Sequence, residues 1–174
     1  MKNIVMIILA LIVALIPCAV AEQVGLPNPI TEMESLAEVN EVAGVNLAHP
    51  AVMGVTEVSF CTIDCGDYVI GQYIFNVAGR EYCFRGAVIG SETDISGYYT
   101  EDGTAFENQE PMDDGVIAYY FGESDKLARW FDGDIQYVLM LSDCSDAEDE
   151  WFEGIAEEMQ FVSADVPADT ETAE

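Results

Sequence analysis

Few side chains in this 174-residue chain have the type and spacing that covalent chemistry requires. His49 is the only histidine, so a Ser-His-Asp or Cys-His centre would have to use it as the base. It precedes Pro50 in an irregular stretch, and no G-x-S-x-G, P-loop or G-x-G-x-x-G sequence accompanies it. The 33 acidic residues offer paired carboxylates for hydrolysis, but no spacing selects one pair. The sequence therefore favours a protein that is not an enzyme, with a small carboxylate-dependent hydrolase as the alternative.

The acidic segment from Gly90 to Gly115 is where the sequence would place a bound cation. It carries few apolar residues and many turn formers, which is typical of a long functional or mobile loop. Calcium takes several carboxylate and carbonyl oxygens as ligands. The candidate calcium ligands are Asp94, Glu101, Asp102, Asp113 and Asp114. Their spacing does not match an EF-hand loop, so a solvated loop is favoured over a calcium site, and no other cofactor is predicted.

Four of the five cysteines lie after residues 1–21, which are interpreted below as a secretory signal peptide, namely Cys61, Cys65, Cys83 and Cys144. In an exported protein an even number of cysteines predicts disulfides, and three connectivities are open. Cys61 and Cys65 flank a predicted turn and could pair locally if their Cα atoms came within about 7 Å. A zinc site is the sharper alternative, but a C-x3-C spacing with no nearby histidine is a poor ligand set.

Two arginines and two tryptophans are the remaining side chains with a binding interpretation. Arg80 and Arg85 lie near a predicted hairpin of a strongly acidic chain, where they form a candidate contact for an anionic ligand. Charge pairing with Glu81 or other nearby acids is the favoured interpretation of both. Trp130 and Trp151 are interpreted as core residues, with a tryptophan-lined carbohydrate or peptide groove as the alternative.

The N-terminus has the three regions of a secretory signal peptide. Lys2 precedes an apolar run from Ile4 to Ile16, and Ala19-Val20-Ala21 supplies an A-x-A cleavage site. We therefore expect residues 1–21 to be removed after Ala21 and the protein to act outside the cytoplasm. A lipoprotein modified at Cys18 and an uncleaved anchor are the alternatives. No later run is apolar enough for stable membrane insertion, and the net charge of −28 disfavours nucleic acid and anionic membranes as partners.

The densest β-favouring stretch predicts a central hairpin. A two-residue turn at Ala78-Gly79 would pair Val77 with Arg80, and would place four aromatic residues on one buried face. Those residues are Tyr73, Phe75, Tyr82 and Phe84. Because Ala78 resists the positive φ of a type I′ turn, a type I turn with Gly79 as a bulge is the alternative, and it would swap the faces.

The whole pattern predicts an α+β fold, an antiparallel sheet of about six strands with an N-terminal and a C-terminal helix on one face. The first helix is predicted from Glu32 to Ala43, capped by Thr31 and Glu34, and the second follows the Ser145/Glu148 capping box. Asp132-Gly133 predicts a hairpin that pairs Trp130 with Ile135. Residues 22–30 are then an extended lead-in, 31–162 one domain, and 163–174 a disordered acidic tail.

The order of these parts resembles an uncharacterised family of small exported prokaryotic α+β domains. That family is related to the extracytoplasmic domains of anti-sigma-factor-like regulators. The resemblance covers about Asn28 to Phe161. It is carried by Ala43-Gly44, a proline-containing segment before Gly54, Gly79-Arg80-Glu81-Tyr82 with Arg85, Asp94-Ile95-Ser96-Gly97, Trp130-Phe131 with Asp132-Gly133 and Tyr137, and a C-terminal helix. It implies an antiparallel sheet with packed helices, and the family has no established catalytic residues that could be carried over. The chain departs from the family in Ala78, where Asp or Asn is easier to explain, in its four cysteines, and in having no membrane anchor after cleavage.

The sequence thus predicts an exported, non-catalytic module that binds an unknown protein, ligand or envelope component. A small carboxylate-dependent hydrolase is one alternative, and an extracytoplasmic sensing domain acting with a membrane partner is another. An enzyme should show a concave pocket that gathers polar groups with shifted pKa values. A binding module should show an exposed apolar patch or an open sheet edge.

Overall fold

The computed structural model describes residues 29–89, 93–100, 103–104, 114–145 and 148–164. These residues form one seven-stranded antiparallel sheet, a small two-stranded sheet and two helices. The elements in chain order are β1 (Ile30–Glu32), α1 (Leu36–Ala43), β2 (Thr56–Asp64), β3 (Val69–Val77), β4 (Arg80–Val88), β5 (Tyr99–Thr100), β6 (Gly103–Thr104), β7 (Ala118–Phe121), β8 (Asp125–Asp132), β9 (Ile135–Ser142) and α2 (Asp149–Ala164). The predicted signal peptide and most of the predicted lead-in and tail lie outside the described residues.

The predicted antiparallel sheet with helices is confirmed, but the main sheet has seven strands rather than six. Its order is β1-β2-β3-β4-β9-β8-β7, so within each half consecutive strands lie side by side, and β4 and β9 are the one neighbouring pair of this sheet that is not consecutive. The additional strand is β1, a three-residue edge strand that pairs with the end of β2. Neither helix in the described part of the chain has the length and apolar character that a bilayer crossing requires.

The central hairpin has the register of a two-residue turn. Val77 pairs with Arg80, Phe75 with Tyr82 and Tyr73 with Phe84, as the first of the two predicted geometries requires. Ala78 adopts a φ of 51° and Gly79 a φ of 80°, so both central residues have the positive φ of a type I′ turn. The right-handed twist of the two long strands imposes this conformation on Ala78, at a cost of roughly 1–2 kcal/mol.

The first helix begins later than predicted. Thr31 lies in β1 opposite Thr62, so it cannot cap a helix. Ser35 is the N-cap instead, and its hydroxyl accepts a hydrogen bond from the backbone N–H of Glu38 at 3.3 Å. The Ser35/Glu38 spacing offers the same capping box as Thr31/Glu34, four residues later in the chain. The predicted C-terminus is confirmed, because Gly44 ends α1 in the left-handed conformation with a φ of 68°.

The β8–β9 hairpin also differs from the prediction in its turn. The turn residues are Gly133 and Asp134, so Trp130 pairs with Tyr137 and not with Ile135. Gly133 has a φ of 57°, which places the glycine first in the turn, as a type II′ geometry requires. Each residue of β8 thus pairs with a residue of β9 two positions later than predicted. Because side chains alternate between faces with a period of two, those predicted to share a face still do so.

The core lies on one face of the sheet, which we call the aromatic face. The four aromatic residues predicted for this face are fully buried. They are Tyr73, Phe75, Tyr82 and Phe84. Side chains of both helices belong to the same cluster, including Val39 from α1 and Phe152 from α2. Gly71 lets α1 approach β3 closely, because a Cβ at this position would lie 2.8 Å from Val39 Cγ1.

The opposite face of the sheet carries polar side chains that hold a loop segment, residues 93–96, against it. The Arg85 guanidinium donates to the carbonyl oxygens of Ile95 and Ser96, at 3.1 and 2.5 Å. Gln136 accepts from the Ile95 N–H at 3.1 Å and donates to the Thr93 carbonyl at 2.8 Å. Ile95 is thereby buried in a second, smaller apolar cluster on this face.

Candidate functional site

One concavity in the described part of the chain lies between α2 and the turn end of β8 and β9. We call it the α2 pocket, and its volume is about 450 Å³. Its lining residues are Asp114, Gly115, Trp130, Phe131, Asp132, Tyr137, Glu157, Gln160, Phe161 and Ser163. Small-molecule sites commonly occupy about 300–1,000 Å³ and combine an apolar lining with a few polar groups. The α2 pocket therefore has the size and composition of a small-ligand site.

Each side of the α2 pocket is positioned by a regular element. Trp130 and Tyr137 form a cross-strand pair of β8 and β9, and their rings stack at 5.6 Å to make the floor. Glu157, Gln160 and Phe161 stand at helical spacing, so they share one face of α2 and make the wall. The floor is buried, whereas 66% of Phe161 is exposed at the wall.

A short segment at 114–115 ties the two sides of the pocket together. The Asp114 carboxylate accepts from the Gly133 N–H at 3.1 Å, which fixes the segment to the β8–β9 turn. The Gly115 N–H donates to the Phe131 carbonyl at 3.0 Å, and its carbonyl accepts from the Gln160 side-chain amide at 2.7 Å. The pocket thus has a hydrogen-bonded frame.

Ser163 is a polar residue on the buried side of α2. The apolar residues of that side follow helical spacing to Met159, and Ser163 is the next position of the series. Its side chain is 1% exposed, and its hydroxyl has no hydrogen-bond partner among the described residues. Burying a hydroxyl without a partner costs about 1–3 kcal/mol. Because this oxygen is buried, the cost falls on the folded domain, and a ligand in the pocket does not reach it.

The charge of the α2 pocket is negative. Its lining includes three carboxylates and no basic side chain, and all three carboxylates are exposed. The carboxylates are those of Asp114, Asp132 and Glu157. On the floor, burial raises the pKa of Tyr137 to about 12, and the negative charge of Asp132 adds to the effect. The phenol therefore stays protonated at neutral pH, so the pocket presents a neutral aromatic floor below an acidic rim.

The structure places the two candidate arginines in different parts of the fold, away from the lining of the α2 pocket. Arg80 pairs with Glu148 at 2.6 Å and donates to the carbonyl of Asp143 at 3.1 Å. Glu148 also accepts from the Ser145 N–H at 2.8 Å, as the predicted capping box requires. That bond lowers the pKa of Glu148, and Arg80 lowers it further. Both arginines therefore hold parts of the fold together, Arg80 at the start of α2 and Arg85 at the loop segment.

Of the predicted calcium ligands, Glu101, Asp102 and Asp113 lie outside the described residues. Asp94 accepts from the Ser96 N–H at 2.9 Å and from the Ser96 hydroxyl at 2.7 Å, in a local turn. Asp114 is on the rim of the α2 pocket. No group of three or more metal-ligating side chains occurs among the residues that the structure describes.

The predicted disulfides are absent, because all four cysteines, each within the described residues, carry free thiols. Local pairing of Cys61 with Cys65 is wrong for a geometric reason. β2 runs to Asp64, so the four-residue separation is spanned in extended conformation, about 13 Å, well beyond disulfide reach. Cys83 lies on β4 of the same sheet, where burial raises the pKa of its thiol to about 11. Cys144 is buried after β9, in contact with Ser124 and Leu141.

His49 contacts a core tyrosine and Trp130 is a core residue as predicted, but Trp151 is not. His49 Nδ1 lies 2.9 Å from the Tyr73 hydroxyl, and the two rings meet edge to face. Trp151 is 48% exposed on α2, so it is not a core residue. Trp130 is buried, as predicted, and it also lines the α2 pocket.

A second concavity of about 520 Å³ lies at the β1–β2 edge of the sheet. Glu32, Met33 and Phe60 are among its lining residues. The α2 pocket is the stronger candidate for a ligand site, because the stacked rings of Trp130 and Tyr137 make its floor.

Comparison of this chain with protein-family models, with curated proteins and with solved structures gives no match. The resemblance to exported domains of the anti-sigma-factor-like type stays a prediction.

Proposed function

We propose that this chain is an exported, non-catalytic module that binds a small ligand in the α2 pocket. The observation that carries the proposal is the combination of a buried aromatic floor with a concavity of about 450 Å³. Such combinations are the usual form of small-ligand sites. The hydrogen-bonded frame around Asp114 and Gln160 supports the proposal, because a preformed site spends little binding energy on ordering.

The pocket favours binding over the hydrolase alternative. A catalytic acid or base commonly sits where burial or a close charge tunes its pKa to the reaction. The carboxylates of the pocket are all exposed, and the phenol of Tyr137 is held in its protonated form. These groups suit recognition of a ligand better than proton transfer.

The proposal includes the arrangement and the location of the domain. We place both helices on the aromatic face, which is supported by the shared core cluster of Val39 from α1 and Phe152 from α2. We place the protein outside the cytoplasm after cleavage at Ala21, where its partner would be a ligand or an envelope component. The mass of the protein recovered from a bacterial culture tests the second point, and a mature chain beginning at Glu22 is expected.

The binding function is tested by a fragment screen monitored by NMR. The fragments should cover neutral, anionic and cationic compounds of similar size. We expect a subset to shift the indole resonance of Trp130 and the side-chain amide of Gln160, while leaving the exposed indole of Trp151 in place. The proposal is wrong if no fragment of any charge shifts the pocket resonances.

A further inference from the structure

The two outer edges of the main sheet differ in how well they are protected against the addition of another strand. At one edge β1 has three residues and follows Pro29, and β2 beside it carries a bulge between Glu57 and Ser59. Short edge strands, prolines and bulges are the usual protection against such pairing. At the other edge β7 is Ala118-Tyr119-Tyr120-Phe121, with no charged residue, proline or bulge. We call this second edge the β7 edge.

The outer side of β7 presents backbone groups to which no described strand bonds. The Gly122 N–H donates to the Asp125 carbonyl at 2.7 Å, so these two residues are a hydrogen-bonded pair of the β7–β8 hairpin. Such pairs recur at every second residue, which makes Tyr120 the next one on β7. The N–H and C=O groups of Tyr119 and Phe121 therefore point away from β8, toward the open side.

Helix α2 runs along the β7 edge on the aromatic face. At one end of β7 the rings of Phe121 and Phe152 meet edge to face at 6.3 Å. Before the other end of β7 the Gln160 side-chain amide donates to the Gly115 carbonyl at 2.7 Å. A strand added to the β7 edge would therefore have α2 beside it along its length.

The side of α2 that faces this edge is acidic. Glu153 and Glu157 stand at helical spacing with Gln160, so all three share one side of the helix. Burial and then the charges of Glu157 and Glu153 raise the pKa of Tyr119 to about 12, which agrees with this placement. Neither carboxylate forms an ion pair with a base in the described part of the chain. Basic side chains on an added strand would complement them.

The chain itself has no basic segment for this position. Every lysine and arginine other than Lys2 lies in β4 or β8, and Lys126 beside the β7 edge is already paired with Asp149. A second copy of the chain would bring a net charge of −28 and would be repelled. The charge complementarity therefore indicates a strand that comes from a different protein.

We propose that the β7 edge binds an extended segment of a separate protein as an additional antiparallel strand, with lysine or arginine at every second position. The residues opposite Tyr119 and Phe121 would share the face of these two side chains, so their own side chains point to the acidic side of α2. Main-chain hydrogen bonds to Tyr119 and Phe121 supply the remaining affinity. This inference goes beyond the proposed function, because β7 takes no part in the lining of the α2 pocket.

Four short synthetic peptides separate the effect of charge from that of backbone pairing. The first alternates lysine with valine, and the second has glutamate in place of each lysine. The third and fourth repeat the first peptide with N-methyl groups on all lysines or on all valines. A residue opposite Tyr119 in an antiparallel pair directs its N–H toward β7. Methylation of the lysines therefore removes the hydrogen bonds to the β7 edge, whereas methylation of the valines leaves them intact.

Binding is measured by fluorescence polarisation with the full chain as it is exported. We expect the lysine peptide to bind at least about 10-fold more tightly than the glutamate peptide and than the lysine-methylated peptide. The valine-methylated peptide should bind within about 2-fold of the unmethylated one. Added salt should weaken the lysine peptide. In NMR spectra, this peptide should shift the backbone amides of Tyr119 and Phe121 and leave those of β1 in place.

Two pairs of matched variants locate the contact. Glu153→Gln should weaken the lysine peptide by about 2- to 5-fold. Glu158→Gln is the control, since Glu158 lies about 140° further around α2. Phe121→Pro removes an outward N–H that β8 does not use, so it should weaken binding more than Phe121→Ala, which removes only the ring. Melting temperatures establish that both variants at this position remain folded.

Each outcome decides one part of the inference. If the glutamate peptide binds as tightly as the lysine peptide, the assignment of a basic partner is overturned. If methylation of the valines abolishes binding and methylation of the lysines does not, the antiparallel pairing with bases toward α2 is overturned. If the amides of Tyr119 and Phe121 shift with protein concentration alone, the occupant is a second copy and the separate partner is overturned. If no peptide binds, the β7 edge fails as a docking site, while fragment binding at Trp130 still decides the proposed function.

Discussion

Replacing Gly71 with alanine tests how closely α1 packs on the sheet. The new Cβ would lie 2.8 Å from Val39 Cγ1, and 3.2 Å from both Ala43 Cβ and Val45 Cγ2. Carbon atoms in contact prefer about 3.5–4.0 Å, so the closest pair overlaps by about 0.7 Å. Val39 is fully buried on α1, where a β-branched side chain keeps one main rotamer. The strain therefore displaces the helix and not only one side chain.

The expected size of this effect follows from two opposing contributions. Overpacking a core costs about 1–3 kcal/mol. Alanine also removes freedom from the unfolded chain, which returns about 0.4–1 kcal/mol. We expect Gly71→Ala to lower the free energy of unfolding by about 1–2 kcal/mol in urea titrations, with an unchanged m-value. The melting temperature should fall by about 3–8 °C.

A matched alanine and a double variant make this test specific. Gly154 lies on the exposed side of α2, where an added Cβ meets nothing within 4 Å. Gly154→Ala should therefore stabilise the protein by about 0.5–1 kcal/mol. Combining Gly71→Ala with Val39→Ala should cost at least about 0.5 kcal/mol less than the sum of the two single changes. A Gly71→Ala protein as stable as the parent would refute the close packing of α1.

Three further predictions concern charged groups that hold the fold. Lys126 is 1% exposed and pairs with Asp149 in the first turn of α2. Asp149→Ala should remove this carboxylate from a buried ammonium and cost about 2 kcal/mol in thermal unfolding, and an unchanged melting temperature would contradict this pair. Because the pKa of Glu148 is lowered in the folded protein, its stabilising effect is present above pH 4.5 and is lost as the pH falls through the lowered pKa. Glu148→Gln should therefore reduce the loss of stability at acidic pH, and an unchanged loss would count against this role of Glu148. Arg85→Met should raise the rate of amide hydrogen exchange at residues 93–96, because Arg85 bonds to that segment. Arg80→Met is the control, since Arg80 is exposed and does not bond to the segment, and equal exchange in the two variants would contradict the role of Arg85.

The sheet could be predicted because its information is local. Alternation at Tyr73, Phe75, Tyr82 and Phe84 identified the buried face, and the short connection at Ala78-Gly79 limited the register to two choices. The choice between them could not be made from Ala78 alone, since its positive φ is imposed by the strands on both sides. The pairing of the two strands in the folded sheet therefore selected the turn type, which residue propensities alone left open.

Errors arose where two segments carried the same local signal. Thr31/Glu34 and Ser35/Glu38 are equivalent capping boxes, and only the pairing of Thr31 with Thr62 shows which one begins the helix. The disulfide prediction failed because an even number of cysteines gives no information on the distances between them. The extended conformation of β2 keeps Cys61 and Cys65 apart.

The α2 pocket was indicated only through the alternative of a groove lined by Trp130, because it joins residues from distant parts of the sequence. Trp130 and Glu157 each had a sufficient local explanation, as a core strand residue and an acidic helix residue. One signal was present in the sequence. The helical series that ends at Met159 continues to Ser163, and a serine there breaks an otherwise apolar stripe.

The pairing of β4 with β9 joins two halves that are otherwise built from neighbouring strands. Within each half the paired strands follow one another in the chain, whereas this pairing must bring Tyr82 beside Leu141 across residues 89–134, the longest connection in the sheet. Closing so long a loop carries the largest entropic cost in the sheet, so it should limit the folding rate. If the chain is cut between residues 89 and 114, each of the two fragments would retain its own hairpins. Their reassembly would restore the pairing of β4 with β9.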